Sequence, residues 1–366
     1  MDEPNSWASF AGRLATDVTE CVDLETDPQR LSEPGPWFVV ADFEAFGRGG
    51  RARAWRFARV SDGGLPAGGP PSGSGWHGPD PSSWHSSMDR AAYEGAVRRV
   101  RDHVREGTVY QVNVCRVLQT ALPVVDDGGT PREPDAAALA ARLAAGNPAP
   151  YAAAVHVPAG SGVDPVWVVS ASPELYLSLG DGTLGSGPIK GTARTPDGLT
   201  DKDRAENVMI TDLVRNDLQR VCAPGTVAVT DLLAVEEHPG LVHLVSRVQG
   251  VLAPAVSAAP DRWGRALRAT FPPGSVSGAP KSSALRIIDE LETAARGPYC
   301  GAVGWVDGDR AELAVGIRTF WWERGPHDDG VLRFGTGAGI TWGSDPQAEW
   351  LETELKAARL VGLASR

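Results

Sequence analysis

The chain has 366 residues, 42% of them hydrophobic, and carries a formal net charge of −11 at pH 7. This apolar content suffices for a large core, yet no stretch approaches the roughly eighteen apolar residues of a membrane helix, so we expect a soluble protein. The acidic balance offers no basic stripe to replace the counterions of nucleic acid, which excludes nucleic acid as the expected partner.

The N-terminus and the cysteines both indicate a cytoplasmic protein. Residues Met1–Asn5 are acidic and begin no apolar segment of the kind that a secretory signal peptide contains. The cysteines show no C-x-x-C spacing, so we expect free thiols in a reducing compartment. They are Cys21, Cys115, Cys222 and Cys300.

Residues 1–87 are predicted to form a shortened N-terminal segment that packs on the same fold as the rest. A short helical pattern opens it, and strands are predicted at Trp37–Ala41 and Arg53–Val60. The stretch 62–83 is rich in glycine, proline and serine. Because such a composition buries too little apolar surface to order itself, we expect a flexible surface loop there.

Residues 88–366 are predicted to form one catalytic domain of long strands and helices. Predicted helices cover 89–106, 135–145, 201–218, 261–269, 279–295 and 346–360. Predicted strands cover 109–122, 151–157, 166–179, 227–235, 242–252, 300–306, 312–322 and 331–337. No βαβ unit repeats, and the strands are long and often spaced as hairpins. This pattern favours mostly antiparallel sheets with helices outside, an α+β fold.

A lysine and a glutamate are predicted on neighbouring β segments. Glu174 ends the motif Ser-Pro-Glu, and Lys190 lies in Gly-Pro-Ile-Lys-Gly-Thr. Pro188 fixes its own φ angle, and Gly191 lets the chain approach a ligand closely. The arrangement suits a buried nucleophile or base opposite a proton donor. The alternative is an exposed lysine before a glycine turn.

Two predicted helices carry carboxylates that could meet across a cleft. Glu206 lies on the mid-chain helix, and Glu349 and Glu352 share one face of the last helix, with Lys356 one turn later. Carboxylate oxygens with retained waters are what Mg²⁺ prefers. The alternatives are a solvated, salt-bridged face on the first helix and an ordinary Glu–Lys surface pair on the last.

Three further segments could bind an anion or could be structural. The glycines of 335–340 could present backbone N–H groups to a carboxylate or phosphate, or could mark a bend. Tyr299 and Arg318 could supply a phenol and a guanidinium to an anionic substrate, or could belong to a turn and an ordinary strand. The loop 271–281 leads into the N-terminus of a predicted helix. Much of its glycine and proline content is explained by the turn that this connection needs.

Taken together and in this order, the motifs between residues 107 and 360 resemble those of the chorismate-utilising enzymes. The segments that carry the resemblance are SPE, PIKGT, ENVMITDLVRNDL, GSVSGAPK, RGPYCGAVG, GAGI and the closing EWLETE helix. The resemblance implies two large, mostly antiparallel β-sheets stacked in a sandwich with helices outside. It also implies chorismate as the substrate and Mg²⁺ as the cofactor.

Within this family, two positions indicate the reaction. Isochorismate and salicylate synthases are expected to carry a lysine base where this chain has Gln111, and an amide cannot abstract a proton. Anthranilate synthase large subunits usually have alanine where this chain has Lys190. The resemblance therefore implies component I of aminodeoxychorismate synthase, in 4-aminobenzoate and folate biosynthesis. The alternatives are anthranilate synthase component I and a catalytically silent chorismate-binding subunit.

The resemblance also assigns roles to residues. Lys190 would be the nucleophile and Glu174 the general acid, and ammonia would come from a separate glutamine amidotransferase subunit. Mg²⁺ would be held by Glu206 and Glu352, with Glu349 beside them. The residues expected to contact the substrate are Gly191, Thr192, His243, Tyr299, Arg318, Gly337, Gly339 and Lys356.

Overall fold

The structure is a computed structural model that describes residues 6–62, 75–127, 130–193, 195–238, 241–327 and 329–366. Most of the predicted flexible loop, residues 63–74, lies outside the described residues. The part of the predicted loop from residue 75 onwards contacts the end of the chain. The indole N–H of Trp76 donates to the carbonyl of Ala364 at 2.8 Å.

Strands dominate the described residues. They are β1 (Trp7–Phe10), β2 (Arg13–Asp23), β3 (Trp37–Ala41), β4 (Ala52–Asp62), β5 (His85–Ser86), β6 (Gln111–Ala121), β7 (Val125–Asp127), β8 (Thr130–Arg132), β9 (Tyr151–Val157), β10 (Val166–Ser172), β11 (Leu175–Gly180), β12 (Thr183–Gly187), β13 (Ile189–Ala193), β14 (Ala228–His238), β15 (Leu241–Val251), β16 (Gly278–Ala279), β17 (Ala302–Asp307), β18 (Arg310–Val315), β19 (Thr319–Arg324) and β20 (Gly330–Ile340). The helices are α1 (Arg90–Arg105), α2 (Ala136–Gly146), α3 (Asp201–Gln219), α4 (Pro254–Ser257), α5 (Arg262–Thr270), α6 (Lys281–Leu291) and α7 (Pro346–Ala364).

Antiparallel ladders join most of these strands into two runs, the short β5 and β16 pair with β6, and β7 and β8 form a separate hairpin. One run is β14–β15–β12–β11–β18–β17–β3–β4–β2, with β13 continuing β12 along β15. The other is β1–β9–β10–β19–β20–β6, and the β1–β2 hairpin connects the two. Buried side chains from both runs, among them Leu177 and Val303 from the first and Val168 and Ala338 from the second, share one hydrophobic core. The α+β class with antiparallel sheets is confirmed, and the hairpin makes the two sheets continuous.

The helical pattern predicted at the start of the chain is wrong, because residues 7–23 form the hairpin of β1 and β2. All four residues of β1 are buried. The strand is hydrogen-bonded to β2 along one edge and to β9 along the other, and because every residue is buried it lacks the alternation of buried and exposed positions that identifies a half-exposed strand.

Two long predicted strands are each broken in the middle, and the breaks lie side by side. Strands β10 and β11 flank Pro173 and Glu174, and β18 and β19 flank Arg318, whose φ of 54° is left-handed. The N–H of Val315 donates to the carbonyl of Glu174 at 3.0 Å, and the N–H of Ala171 donates to the carbonyl of Arg318 at 3.0 Å. A glutamate and an arginine therefore leave the sheet at neighbouring points.

Helices α3 and α7 begin at the predicted residues, and each follows a capping side chain. A reciprocal capping box of Thr200 and Asp203 starts α3, and the carboxylate of Asp345 accepts from the N–H of Ala348 at the start of α7. Helix α3 packs on β13 and β15, and α7 packs on β20 and α1. No helix among the described residues is long and apolar enough to cross a bilayer.

Candidate active site

Lys190 projects from β13 towards α3 and β20. Its side chain is 18% exposed, and its Nζ lies 4.0 Å from Oε2 of Glu206. A Cβ added to Gly339 would lie 2.9 Å from the same Nζ. The absence of a side chain on β20 therefore leaves room for the lysine.

Gln111 is the polar neighbour of Lys190. Its side chain is fully buried, and neither its Oε1 nor its Nε2 has a hydrogen-bond partner within the described residues. A Cβ added to Gly339 would lie 2.7 Å from Nε2. Because an unsatisfied buried amide costs about 1–3 kcal/mol, this side chain marks a place where a ligand could bond.

Glu174 supplies a proton donor near the lysine. The residue is only 4% exposed. Burial raises the pKa of its carboxyl to about 7, although the hydroxyl of Ser275, the charge of Lys190 and the N–H of Ile189 oppose the rise. A carboxyl with this pKa is partly protonated at neutral pH, as general-acid chemistry requires.

The loop 271–281 supports Glu174. It supplies Ser275, a partner of the carboxyl that the sequence pattern did not single out. Lys281 of the same loop is structural, since its Nζ donates to Asp217 at 2.6 Å and to the carbonyls of Thr270 and Pro272 at 2.7 and 2.9 Å. Burial lowers the pKa of Lys281, against the raising effect of Asp217.

The predicted carboxylates gather around a lysine that the sequence analysis did not assign. The Nζ of Lys202 lies 3.7 Å from Oε1 of Glu206 and 3.7 Å from Oε1 of Glu349.

The two carboxylates of α7 have opposite pKa shifts. Burial, then the neighbouring Glu352 carboxylate, raises the pKa of Glu349, although a hydrogen bond from Ser344 opposes the rise. Glu352 accepts from Lys356 at 2.6 Å. For Glu352, burial is outweighed by Lys356 and the other lysines, so its pKa is lowered.

The donor atoms of this cluster fit a hard cation. They are carboxylate oxygens from two helices, and Oε1 of Glu206 is buried without a hydrogen-bond partner among the described residues. No three His, Cys, Asp or Glu side chains in the described ranges are close enough together to form a ready-made metal cage. The ammonium of Lys202 lies between the carboxylates, in the place where a cation would bind. The magnesium site therefore stays a prediction.

The segment 335–340 is neither a bend nor a turn but the second half of β20. Within the part of the chain that the structure describes, only β6 pairs with it there, because β19 reaches no further than Phe334. The N–H groups of Cys115 and Asn113 on β6 bond away from β20, to Glu292 and Ser277. Their partners in the ladder are Gly337 and Gly339. The amides of both glycines therefore face the open strand edge, where they can bind a ligand.

Two cationic side chains lie near this part of the fold. Lys356 donates to the carbonyl of Gly337 at 3.0 Å. Arg318 has no carboxylate partner among the described residues, and burial, then the charge of Arg359, lowers the pKa of its guanidinium. A half-buried guanidinium without an anionic partner favours binding of a substrate carboxylate.

The remaining predicted residues are distributed around this region. His243 is buried on β15 and lies opposite Thr192 of β13 in the ladder. Gly191 has a φ of 90°, and a Cβ there would lie 2.8 Å from the Cβ of Asp203 on α3.

Tyr299 precedes β17 in the chain and packs against β20 at Gly335. Its buried ring occupies the space that a side chain on Gly335 would need, and its hydroxyl accepts from the thiol of Cys115 at 3.8 Å. Burial raises its pKa, as do Cys115 and Cys300. The phenol is thus engaged by a thiol rather than presented at the strand edge.

A separate cavity of about 320 Å³ lies where β9 ends, at Val157, and β10 begins, at Val166. Its walls include Trp55, Trp321 and Arg53, and none of the predicted site residues lines it. The chemistry-bearing residues therefore gather elsewhere, between α3, α7, β13 and β20.

Comparison with known proteins identifies the family of this chain. Residues 70–362 match the family model described as chorismate binding enzyme. The chain is 36% identical over 292 residues to anthranilate synthase component 1 of Saccharolobus solfataricus, covering 76% of this chain and 63% of the relative. It is 35% identical over 293 residues to aminodeoxychorismate synthase component 1 of Salmonella typhimurium, covering 76% of this chain and 59% of the relative. The chain thus spans about three fifths of the length of these relatives.

The fold matches solved structures over nearly its whole length. The menaquinone-specific isochorismate synthase MenF of Escherichia coli superposes with a TM-score of 0.75 at 19% identity, covering 99% of this chain and 89% of that one. The match to the family model over residues 70–362, which is more than half of the chain, establishes the family. This chain belongs to the chorismate binding enzyme family.

Proposed function

We propose that this chain is the chorismate-aminating component of an aminodeoxychorismate synthase, which converts chorismate and ammonia to 4-amino-4-deoxychorismate and water. The observation that carries the proposal is the position of Lys190, which reaches Gln111 and Glu206 in a site with a protonatable Glu174. Relatives named aminodeoxychorismate synthase component 1 support it. The product is a precursor of 4-aminobenzoate and hence of folate.

Substrate binding would rest on cations and backbone amides. Chorismate carries two carboxylates. Arg318 and Lys356, with the amides of Gly337 and Gly339, offer the donors that two carboxylates need. The ring would lie against Gly191, Thr192 and His243, with Tyr299 supporting the strand behind.

The reaction would proceed in two displacements. Lys190 Nζ, neutral when it attacks, forms a bond to C2 while the ring double bonds shift. The C4 hydroxyl leaves as water with the proton of Glu174. Ammonia then adds at C4, the double bonds shift back, and the C2–N bond to Lys190 breaks. The proton that ammonia loses returns to the Glu174 carboxylate, so the enzyme ends as it began.

Glu206 and Glu352, with Glu349, would hold the Mg²⁺ that the family resemblance implies. When bound, the ion supplies positive charge that fixes a substrate carboxylate. The ammonia would come from a separate glutamine amidotransferase subunit, and the name component 1 carried by the relatives supports a second component.

Product analysis tests the proposal. The purified chain is incubated with chorismate, Mg²⁺ and an ammonium salt, and the product is identified by mass spectrometry. The expected product is chorismate with its hydroxyl replaced by an amine and its pyruvyl group retained, and Lys190→Ala should abolish it.

The main alternative is anthranilate synthase chemistry, which the names of other relatives favour. Release of pyruvate with anthranilate would overturn the proposal and establish that alternative. Unreacted chorismate, even after addition of a glutaminase subunit, would point to a silent chorismate-binding protein.

A further inference from the structure

Lys202 has no role in the chemistry proposed above, yet it lies at the centre of the carboxylate cluster. Its Nζ is 3.7 Å from a carboxylate oxygen on α3 and 3.7 Å from one on α7. Of these two glutamates, Glu349 is 5% exposed and Glu206 is 15% exposed at the side chain, whereas Lys202 is 55% exposed. The carboxylates are therefore fixed within the protein, and the lysine reaches them from solvent.

Among the described residues, the ion pairs of this region join equal numbers of carboxylates and ammonium groups. Three carboxylates, those of Glu206, Glu349 and Glu352, contact three ammonium groups, those of Lys190, Lys202 and Lys356. A divalent cation between Glu206 and Glu349 would lie within a few ångströms of the Lys202 ammonium, where like charges repel strongly. Both cations cannot occupy this place at once.

We infer that Lys202 is the resident counter-ion of the carboxylate cluster, which holds α3 and α7 together until a divalent cation displaces it. This inference rests on the proposed role of Glu206 and Glu349 in holding Mg²⁺. Lys202 is the group that yields, because its stem is exposed and free to swing into water. Lys190 and Lys356 stay, since each has a further neighbour in the site, Gln111 and the Gly337 carbonyl.

Displacement has a measurable consequence, because Mg²⁺ must compete with an internal cation. Removing that cation should tighten Mg²⁺ binding to the substrate-free protein. The test is isothermal titration calorimetry of Mg²⁺ into wild type, Lys202→Met and Arg204→Met. Arg204 is the matched control, since it is exposed on the same turn of α3 and forms no ion pair among the described residues.

Lys202→Met should bind Mg²⁺ at least tenfold more tightly than wild type, about 1.4 kcal/mol, and Arg204→Met should bind like wild type. Equal or weaker binding by Lys202→Met, with wild type binding normally, would overturn the inference and leave the cation site intact. If neither protein binds Mg²⁺, with or without chorismate, the cation role itself is wrong, and the inference falls with it.

A second measurement uses the wild-type protein and does not depend on the folding of a variant. Lysines are acetylated with a limiting amount of an N-hydroxysuccinimide ester, and the modified peptides are quantified by mass spectrometry with and without Mg²⁺. Acetylation of Lys202 should rise at least threefold with Mg²⁺, and Lys281, buried against Asp217, should not change. An unchanged or lower reactivity of Lys202 would contradict its displacement.

Discussion

Lys190 and Gln111 meet above Gly339. A Cβ on that glycine would lie 2.9 Å from the lysine Nζ and 2.7 Å from the amide Nε2. The face of β20 that carries Gly337 and Gly339 thus has no side chains at these positions, and a cationic and an amide group approach each other over it. The two residues are 79 positions apart in the chain.

Replacement of Gly339 by alanine should reduce turnover strongly and leave the fold intact. The added methyl group would displace the ends of two flexible side chains, and misplacement by about 1 Å can cost on the order of 100-fold in rate. Steady-state kinetics with chorismate and ammonium salt measure the effect. Gly343→Ala is the control, because no atom lies within 4 Å of its added Cβ. Equal activity of the two variants would contradict the placement of Lys190.

Gln111→Leu should stabilise the protein while it lowers activity. Leucine has a similar volume and removes two buried polar atoms that have no partner in the described residues, so the free energy of unfolding should rise by about 1–3 kcal/mol. Urea denaturation measures it. Gln119→Leu, at an exposed position of the same strand, should change stability by less than about 0.5 kcal/mol. Destabilisation by Gln111→Leu would show that the amide is satisfied in the folded protein.

Glu174 should make stability fall as pH rises from about 4.5 to about 7. Because the folded pKa of about 7 exceeds the usual 4.5, the folded state binds more protons than the unfolded state in this window. The shift corresponds to about 3 kcal/mol lost by pH 7. Glu174→Gln should remove this slope in denaturation curves recorded across the range. An unchanged slope in the variant would assign it to other groups.

Lys281→Met should destabilise the fold by about 3–5 kcal/mol, since it leaves the buried carboxylate of Asp217 without its partner. Adding Asp217→Asn should recover much of the loss, because the uncompensated charge is then gone. A double-mutant cycle by chemical denaturation measures the coupling. Additive losses from the two substitutions would contradict the structural role given to this lysine.

The sequence predicted the parts of the fold that depend on local signals. The caps at Asp89, Thr200 and Asp345 start helices close to where they were expected, and the strand Trp37–Ala41 has the predicted bounds. Strand breaks were missed at Glu174 and Arg318. Pro173 was a local signal for the first break, because proline cannot donate to a ladder, whereas the second depends on bonds to a neighbouring strand.

The same distinction holds in the candidate site. Sequence motifs identified both Lys190 and Glu206, and the structure places the two side chains next to each other. Lys202 and Ser275 were not singled out, since an exposed lysine near a helix start and a serine in a loop carry no distinctive pattern. The order Lys-x-x-x-Glu on α3 was the available signal for Lys202. The open edge of β20 follows only from the pairing of three strands.

The nucleophilic role of Lys190 can be tested by trapping its covalent adduct with chorismate. Wild-type protein is mixed with chorismate and Mg²⁺ without ammonia, quenched in acid, and analysed by intact-protein and peptide mass spectrometry. We expect a species that is heavier than the protein by chorismate less one water and maps to Lys190. It should disappear on addition of ammonium and be absent from Lys190→Ala. Formation of 4-amino-4-deoxychorismate by Lys190→Ala at the wild-type rate, with no adduct in wild type, would contradict it.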